Sequence, residues 1–510
     1  MKMSKRNLTY LLLIFTLQHF YLFSFAQLEQ PRRLEIILDK SEKESFNVVS
    51  AEEQGIVLYR EVRNKETRME HKYQVILVDT ALNKVWEKSY YIHLRYIQIG
   101  YEYAEDYFYL LFQRNIESLK ADLFVLRINL HTQNVETFLI ERDYAIELTE
   151  FEVVGNTLVF GGYSNNMPTV LAYKFGSPQT IVLPGFFNER SEIQHLETDD
   201  DLKTLNVLVS YRMNNRMRSL SLKTFNEEGE LLKNINLQPS DEKSLLFGRT
   251  ISLDTDVDLV VGTYTRKRSD LSRGIFLARI ESSGDQVINY YNYADLKNFF
   301  NYMKARRQKR IEERIKRRKV KGKKNRFHYH LLVHEVVQWE GKFIMVGEAF
   351  YPKYSHTSYY GGFSPYSYSN YGQAFEGYKY THAVVFGFDR RGRLIWDNSF
   401  EIEDVTSYTL DQYVQISLSN EEMALLYMYE NEIRTKVIEG NDVVEGKTFN
   451  ELKLSFDDDI VEQEESEYGG LEKWYDGKLF AYGTQKIKNM AGDGIRSDRE
   501  VFFINKILYR

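Results

Sequence analysis

One short unit recurs eight times along this chain: an apolar run of β-branched and aromatic residues, entered through a polar hairpin turn and ending in small residues or Tyr. The copies are Gly55–Tyr59, Tyr107–Leu111, Thr157–Gly161, Leu205–Val209, Asp258–Gly262, Lys342–Val346, Met423–Tyr427 and Lys478–Tyr482. A unit this short cannot bury its own faces, so it must stack against its copies. After each copy comes a second alternating run that ends in a turn, as at Gln74–Asp79, Leu123–Ile128, Ile275–Ile280 and Ala383–Asp389. A fourth strand follows, most clearly at Val85-Trp86 and Leu394-Ile395-Trp396. Lettered a to d, four antiparallel strands at a period of about 50 residues predict the blades of an all-β propeller.

The count contains its own check. Eight a-to-b turns face only seven c-to-d turns, because the chain ends at Arg510 just after the c-like run Val501–Ile507. An orphan strand, Leu34–Leu38, precedes the first unit. We therefore expect eight four-stranded blades, the last completed by the N-terminal strand, which removes the two edges an open array would expose. Seven blades, or two stacked sandwiches, are the competing arrangements.

Composition removes several function classes. With no Cys among 510 residues there is no disulfide framework, thiolate metal site, Cys nucleophile or lipidated Cys. At the N-terminus, Lys2, Lys5 and Arg6 precede an apolar run from Leu8 to Phe25 that closes on Ser24-Phe25-Ala26. This order predicts a signal peptide over residues 1–26 and an exported single propeller domain over 27–510, periplasmic, outer-membrane-associated or extracellular. A single anchoring helix is the alternative reading of that run.

Two insertions break the period. Residues 295–326 have helical composition, with Leu296, Phe299, Phe300, Met303, Ile311 and Ile315 three or four apart where they cluster. From Lys304 to Arg326 there are fourteen Lys or Arg and two acids, so the first half is expected to dock and the second to stay solvated. Residues 351–380 hold eleven Tyr or Phe among Gly, Ser and Asn and are expected to form a loop that suits protein contacts, through residues such as Tyr359, Tyr360 and Tyr366.

A net charge of -6 conceals a polarised surface. The b-to-c loops sum to about +10, through groups such as Arg212, Arg216 and Arg218, then Arg266, Lys267, Arg268 and Arg273. The helical insertion adds Arg306, Arg307, Arg310, Arg314, Arg317 and Arg318 to that face. The a-to-b turns sum to about -13, part of which reflects the preference of turns for Asp. The basic face predicts an acidic partner, either a protein or an envelope glycolipid or glycan, with nucleic acid disfavoured outside a cell.

No catalytic constellation is assignable. His328, His330 and His334 share one side of a strand reading, but their spacing converges poorly on a metal. Asp254-Thr255-Asp256-Val257-Asp258 starts like a calcium loop yet lacks the required Gly and Glu, so it reads as a hairpin turn. No phosphate loop, nucleophile elbow or zinc helix occurs, and no cofactor or metal is expected.

The turns Val78–Trp86 and Phe388–Trp396 resemble the Asp-Gly-Trp turns of quinoprotein-like eight-bladed propellers, with Asn83 where the first copy would have Gly. That superfamily includes quinone-dependent dehydrogenases and an outer-membrane assembly lipoprotein. The resemblance implies the fold and a scaffold in a Gram-negative envelope. The dehydrogenases' paired Cys and the lipoprotein's lipidated Cys are missing here. The expected function is a non-enzymatic binding platform, with an envelope or secreted glycosidase or lyase working in the funnel as the alternative.

Overall fold

The computed structural model describes residues 28–509 apart from 39–44, 63–68, 116–119, 143–144, 178, 187–190, 215, 241, 255–256, 357–372, 420–421 and 491–497. Its strands form eight antiparallel sheets with strand order a-b-c-d, that of blade 6 carrying a fifth short strand, Thr406–Ser407, against strand c. Blade 1 runs from Asn47–Ser50 to Lys84–His93, and blades 2 to 7 follow in chain order. In blade 8 the strands Asp459–Lys473, Leu479–Asn489 and Asp498–Tyr509 serve as a, b and c. The N-terminal strand Leu28–Ile37 adds as d, pairing antiparallel with Asp498–Tyr509 from Leu28 opposite Tyr509 to Ile37 opposite Val501. The expected eight-bladed ring and its closure are therefore present.

Alternation along the b and c strands puts apolar side chains on both sheet faces, so the core is distributed between blades rather than gathered in one place. Each neighbouring pair shares its own buried cluster. Blades 1 and 2, for instance, enclose Val57, Tyr59, Leu77, Phe108 and Phe112. Blades 8 and 1 close the circle through Phe46, Ile56, Leu58, Phe480 and Phe502. Polar links cross the same seams. Trp86 Nε1 donates to Leu130 O at 3.1 Å, and Trp474 Nε1 donates to Gly55 O at 3.0 Å.

The c-to-d turns of blades 1 and 6 share one device. Asp79 Oδ1 accepts from Asn83 N at 2.7 Å and Asp389 Oδ1 from Arg393 N at 2.8 Å, so a carboxylate organises each turn. Gly392 takes a φ of 76° and its counterpart in the first turn is Leu82 at 60°. It is Leu82, not Asn83, that stands where Gly is expected. Behind the second turn Trp396 lies so close to Gly387 that a Cβ there would come within 2.3 Å of the indole, which requires glycine. Both Trp86 and Trp396 are buried and serve packing.

The insertions differ from their sequence reading. Only Ala305–Val320, called α1, is helical. Residues 296–304 are not, although their apolar spacing fitted a helix. The Asp397 carboxylate accepts the N–H groups of Lys297 and Asn298 at 2.9 and 2.7 Å, and the Asn298 side chain donates to Asp397 O and Asn441 O. These bonds, with Phe299 stacked 4.4 Å from Tyr293, outcompete a helical ladder. Nor is the second half wholly solvated, since Ile315 is buried in the cluster between blades 5 and 6, with Ile311 and Phe327 packed beside it.

Much of the expected aromatic loop is strand. Lys342–His356 and Gln373–Phe388 continue as one long hairpin, paired out to His356 opposite Gln373. No helix among the described residues is long and apolar enough to cross a membrane. The proposed signal peptide, residues 1–26, lies outside the described residues.

Candidate functional site: the basic face over blades 4 and 5

Blade 4 strand b, Thr204–Arg212, turns through Arg216 into strand c, which starts at Arg218. Met213 N donates to Met217 O at 2.8 Å and Arg216 adopts a φ of 62°, so the turn is tight. In blade 5, strand b ends at Arg266, Lys267 takes a φ of 65°, and Arg273 precedes strand c at Gly274. Ser244 Oγ accepts from Arg218 N at 3.1 Å and donates to Lys267 O at 2.5 Å, pinning the two loops together.

Two cavities result. The first, about 340 Å³, is lined by Arg212, Arg216 and Arg218 of blade 4 and Lys267, Arg268 and Asp270 of blade 5, with Ser244 and Ser269. Five cations face one acid there, and that acid is engaged by Arg218 Nη2 at 2.6 Å.

The second cavity, about 380 Å³, lies between blade 5 and the end of the insertion. Lys243, Arg266 and Arg273 come from the blade and Lys319, Lys323 and Lys324 from α1 and the loop behind it, against one acid, Asp295. Asp295 is paired with Lys319 at 2.8 Å. Lys243 Nζ sits 3.6 Å from the Tyr290 ring centroid.

Burial first, and crowding of like charge second, shift the titration of these groups. Burial, then Arg326 and Arg266, hold the Arg273 guanidinium below its ordinary range. Burial and Arg266 do the same to Lys243. Burial, Arg273 and Arg326 lower His328. Arg273 Nε is buried with no hydrogen-bond partner among the described residues.

The expected loop residues are thus brought together: Arg212, Arg216, Arg218, Lys267 and Arg268 in one cavity and Arg266 in the next. The helix arginines are not. Arg306, Arg307, Arg310, Arg314 and Arg317 are exposed along α1, while Arg318 is half-buried and donates to Lys324 O at 2.7 Å. The insertion reaches the second cavity through Lys319, Lys323 and Lys324 instead. Lys243 was missed because it opens an inner strand; the signal was a cation at the same end of the blade as the b-to-c loops. Tyr359, Tyr360 and Tyr366 lie outside the described residues. On the hairpin that leads to them, Tyr351, Tyr354 and Phe375 are exposed, with Tyr354 and Phe375 rings 5.6 Å apart.

The inner strands carry a second cluster. Glu102 of blade 2, Glu150 and Glu152 of blade 3, Glu197 of blade 4 and Arg249 of blade 5 influence one another across the ring. Burial, then Glu102, Glu150 and Glu197, push Glu152 up to about 9. Burial pushes Glu102 up to about 7. Two members are built into the seams: Glu150 Oε2 accepts Leu196 N at 2.7 Å and Glu197 Oε2 accepts Thr250 N at 3.0 Å. Burial and Arg249 lower His195 to about 3.

Of the three histidines of blade 6, His328 precedes strand a, and His330 and His334 lie on it. Strand a, His330–Trp339, has a bulge between Val333 and Val336 that breaks the alternation. His334 is buried 3.1 Å from Glu348, whereas His330 stacks on Phe350. No group of His, Asp and Glu suited to a metal occurs among the described residues. In blade 5 strands a and b meet at Asp254 opposite Val257, and Asp258 is buried against Lys233 at 3.0 Å. Residues 255–256 of the calcium-like run lie outside the described residues.

No family model matches the chain, and no curated protein matches it in sequence. Among solved structures it is similar to the polysaccharide lyase Uly1, with 11% identity over 80% of this chain and 89% of that one and a TM-score of 0.39. The β-propeller domain of the Trilobed protease from Pyrococcus furiosus gives 9% identity over 78% and 96%, TM-score 0.36. Oligopeptidase B from Leishmania major gives 8% over 89% and 55%, TM-score 0.40.

Proposed function

We propose that this propeller is an exported, non-enzymatic binding platform that engages an acidic partner through the face over blades 4 and 5. One observation carries this reading: two neighbouring cavities, joined by the blade 5 b-to-c loop, gather eleven cations against two acids. Such a concentration raises the local density of anions and speeds their capture. An acidic glycan, the headgroups of an envelope glycolipid or an acidic protein surface meets the requirement. The exposed aromatic rings of the blade 6 hairpin offer amphipathic contact area beside it.

The test is titration of the full-length mature protein with polyglutamate and with dextran sulfate at rising NaCl, beside an R212Q/R216Q/R268Q variant. The platform reading expects binding that weakens steeply with salt and a smaller salt slope in the variant. Equal slopes would rule it out.

The raised Glu152 and Glu102 favour a second reading, an envelope or secreted glycosidase or lyase in the funnel, because a proton donor at neutral pH needs such a carboxyl. Turnover of anionic polysaccharides that is abolished by Glu152→Gln, yet unaffected by the arginine substitutions, would select it.

A further inference from the structure

We propose that the cavity between blade 5 and the loop after α1 is a site for a phosphomonoester or pyrophosphate group, a compact anion of two or more charges. The inference rests on the platform reading and deepens it, because it separates one pocket from the face as a whole.

The first ground is convergence. Lys243, Arg266 and Arg273 come from three different strands or strand ends of blade 5, and Lys319, Lys323 and Lys324 from the insertion, so residues about 80 apart in sequence close on one space. The second is charge. Asp295 is paired with Lys319 and Arg266 is paired with Glu242, which leaves Lys243, Arg273, Lys323 and Lys324 without an ion-pair partner among the described residues. A single carboxylate or sulfate ester brings one negative charge, whereas four uncompensated cations match a phosphate dianion or more. The third is geometry. Arg273 presents a guanidinium whose buried Nε lacks a partner, and the buried Oδ1 of Asn325 also lacks one. A guanidinium donates in parallel pairs to phosphate oxygens, and a protonated ester oxygen or a neighbouring sugar hydroxyl satisfies an amide oxygen.

The pocket also stores repulsion. Arg326 and Arg266 both act unfavourably on Arg273, and a bound dianion offsets that repulsion by attracting each of them. The folded protein should therefore gain stability from the ligand itself.

The experiment is thermal unfolding of the full-length protein with inorganic pyrophosphate, against NaCl at equal ionic strength, for three proteins: unsubstituted, R273Q/K323Q/K324Q and R212Q/R216Q/R268Q. The proposal expects a rise in Tm of about 2–3 °C at a hundredfold excess over Kd. That rise should vanish in R273Q/K323Q/K324Q and persist in R212Q/R216Q/R268Q. Flotation with vesicles of phosphatidylcholine, with or without phosphatidic acid, separates the sources. Flotation that depends on Arg273, Lys323 and Lys324 assigns a lipid headgroup, and pyrophosphate stabilisation without flotation assigns a soluble phosphate ester. No rise beyond NaCl, or an equal rise in all three proteins, overturns the proposal. If dextran sulfate still binds with a steep salt slope in that case, the platform reading survives; if it does not, both fail.

Discussion

Asp397 on the outer strand of blade 6 accepts the backbone N–H of Asn298 at 2.7 Å, a bond between residues 99 apart in sequence. Together with the bond from Lys297 it fixes the segment from which α1 and the basic loop spring. The position of Lys319, Lys323 and Lys324 over blade 5 thus depends on a carboxylate that is not part of the basic face.

Asp397→Ala should leave the N–H groups of Lys297 and Asn298, the second of them buried, without their acceptor. Hydrogen exchange at residues 297–300 and along α1 should accelerate by a factor of about 10–100, a local cost of about 1.4–2.7 kcal/mol. Exchange in blades 1 to 3 should not change. Pyrophosphate stabilisation should fall as well, although no cation has been altered.

Removing residues 28–37 should leave the strand Asp498–Tyr509 as an open edge. Size-exclusion chromatography is expected to show self-association of the shortened chain, with a lower Tm. A monomer of unchanged Tm would mean that blade 8 does not need its fourth strand.

Arg499 should be among the costliest single positions. Its guanidinium is buried between Asp459, at 3.0 Å from Nη1, and Glu35 of the closing strand, at 3.1 Å from Nη2. Arg499→Met leaves Asp459 buried and uncompensated, and is expected to cost about 3–5 kcal/mol in urea unfolding. Burial pushes the Asp459 carboxyl up, but hydrogen bonds from Arg499 and Asn489 outweigh it and leave the group below its ordinary value. Its contribution is therefore present above the ordinary Asp range and lost as pH falls through the lowered value. Acid unfolding should begin at a higher pH in the variant.

Glu152 carries the opposite sign. Its carboxyl titrates near 9 in the folded chain and near 4.5 when unfolded, so the folded state binds the extra proton between those values and stability declines as pH rises across that window. Glu152→Gln removes that penalty. At pH 8 it should stabilise the protein by about 4 kcal/mol relative to its effect at pH 4.5, at about 1.4 kcal/mol per pH unit. The pH dependence of the urea midpoint decides this.

Much of the ring was legible in the chain because a blade is a local object. Hairpin turns and two-residue alternation are set by neighbours in sequence, so the b strands and the strand Leu34–Leu38 that closes the ring stand out without coordinates. The insertion was legible only in part. Its apolar spacing fitted a helix through Phe299 and Phe300, but the deciding acceptor, Asp397, comes from a distant strand. The partners of the blade 6 histidines were hidden for a related reason, since Glu348 beside His334 and Phe350 beside His330 come from the neighbouring strand.

The candidate site divides in the same way. The identity and sign of the loop residues were determined by the sequence: Arg212, Arg216 and Arg218 after one b strand, Arg266 to Arg268 after the next. Which of them share a space was decided only by the tertiary structure. The fold set blade 4 beside blade 5, docked Ile315 so that the end of α1 overhangs Arg273, and turned the arginines of α1 other than Arg318 outward. Charges act through distance, and at physiological salt those more than about 8 Å apart in solvent are largely screened from one another. A count of cations along a chain therefore becomes a binding site only where folding brings them within that range.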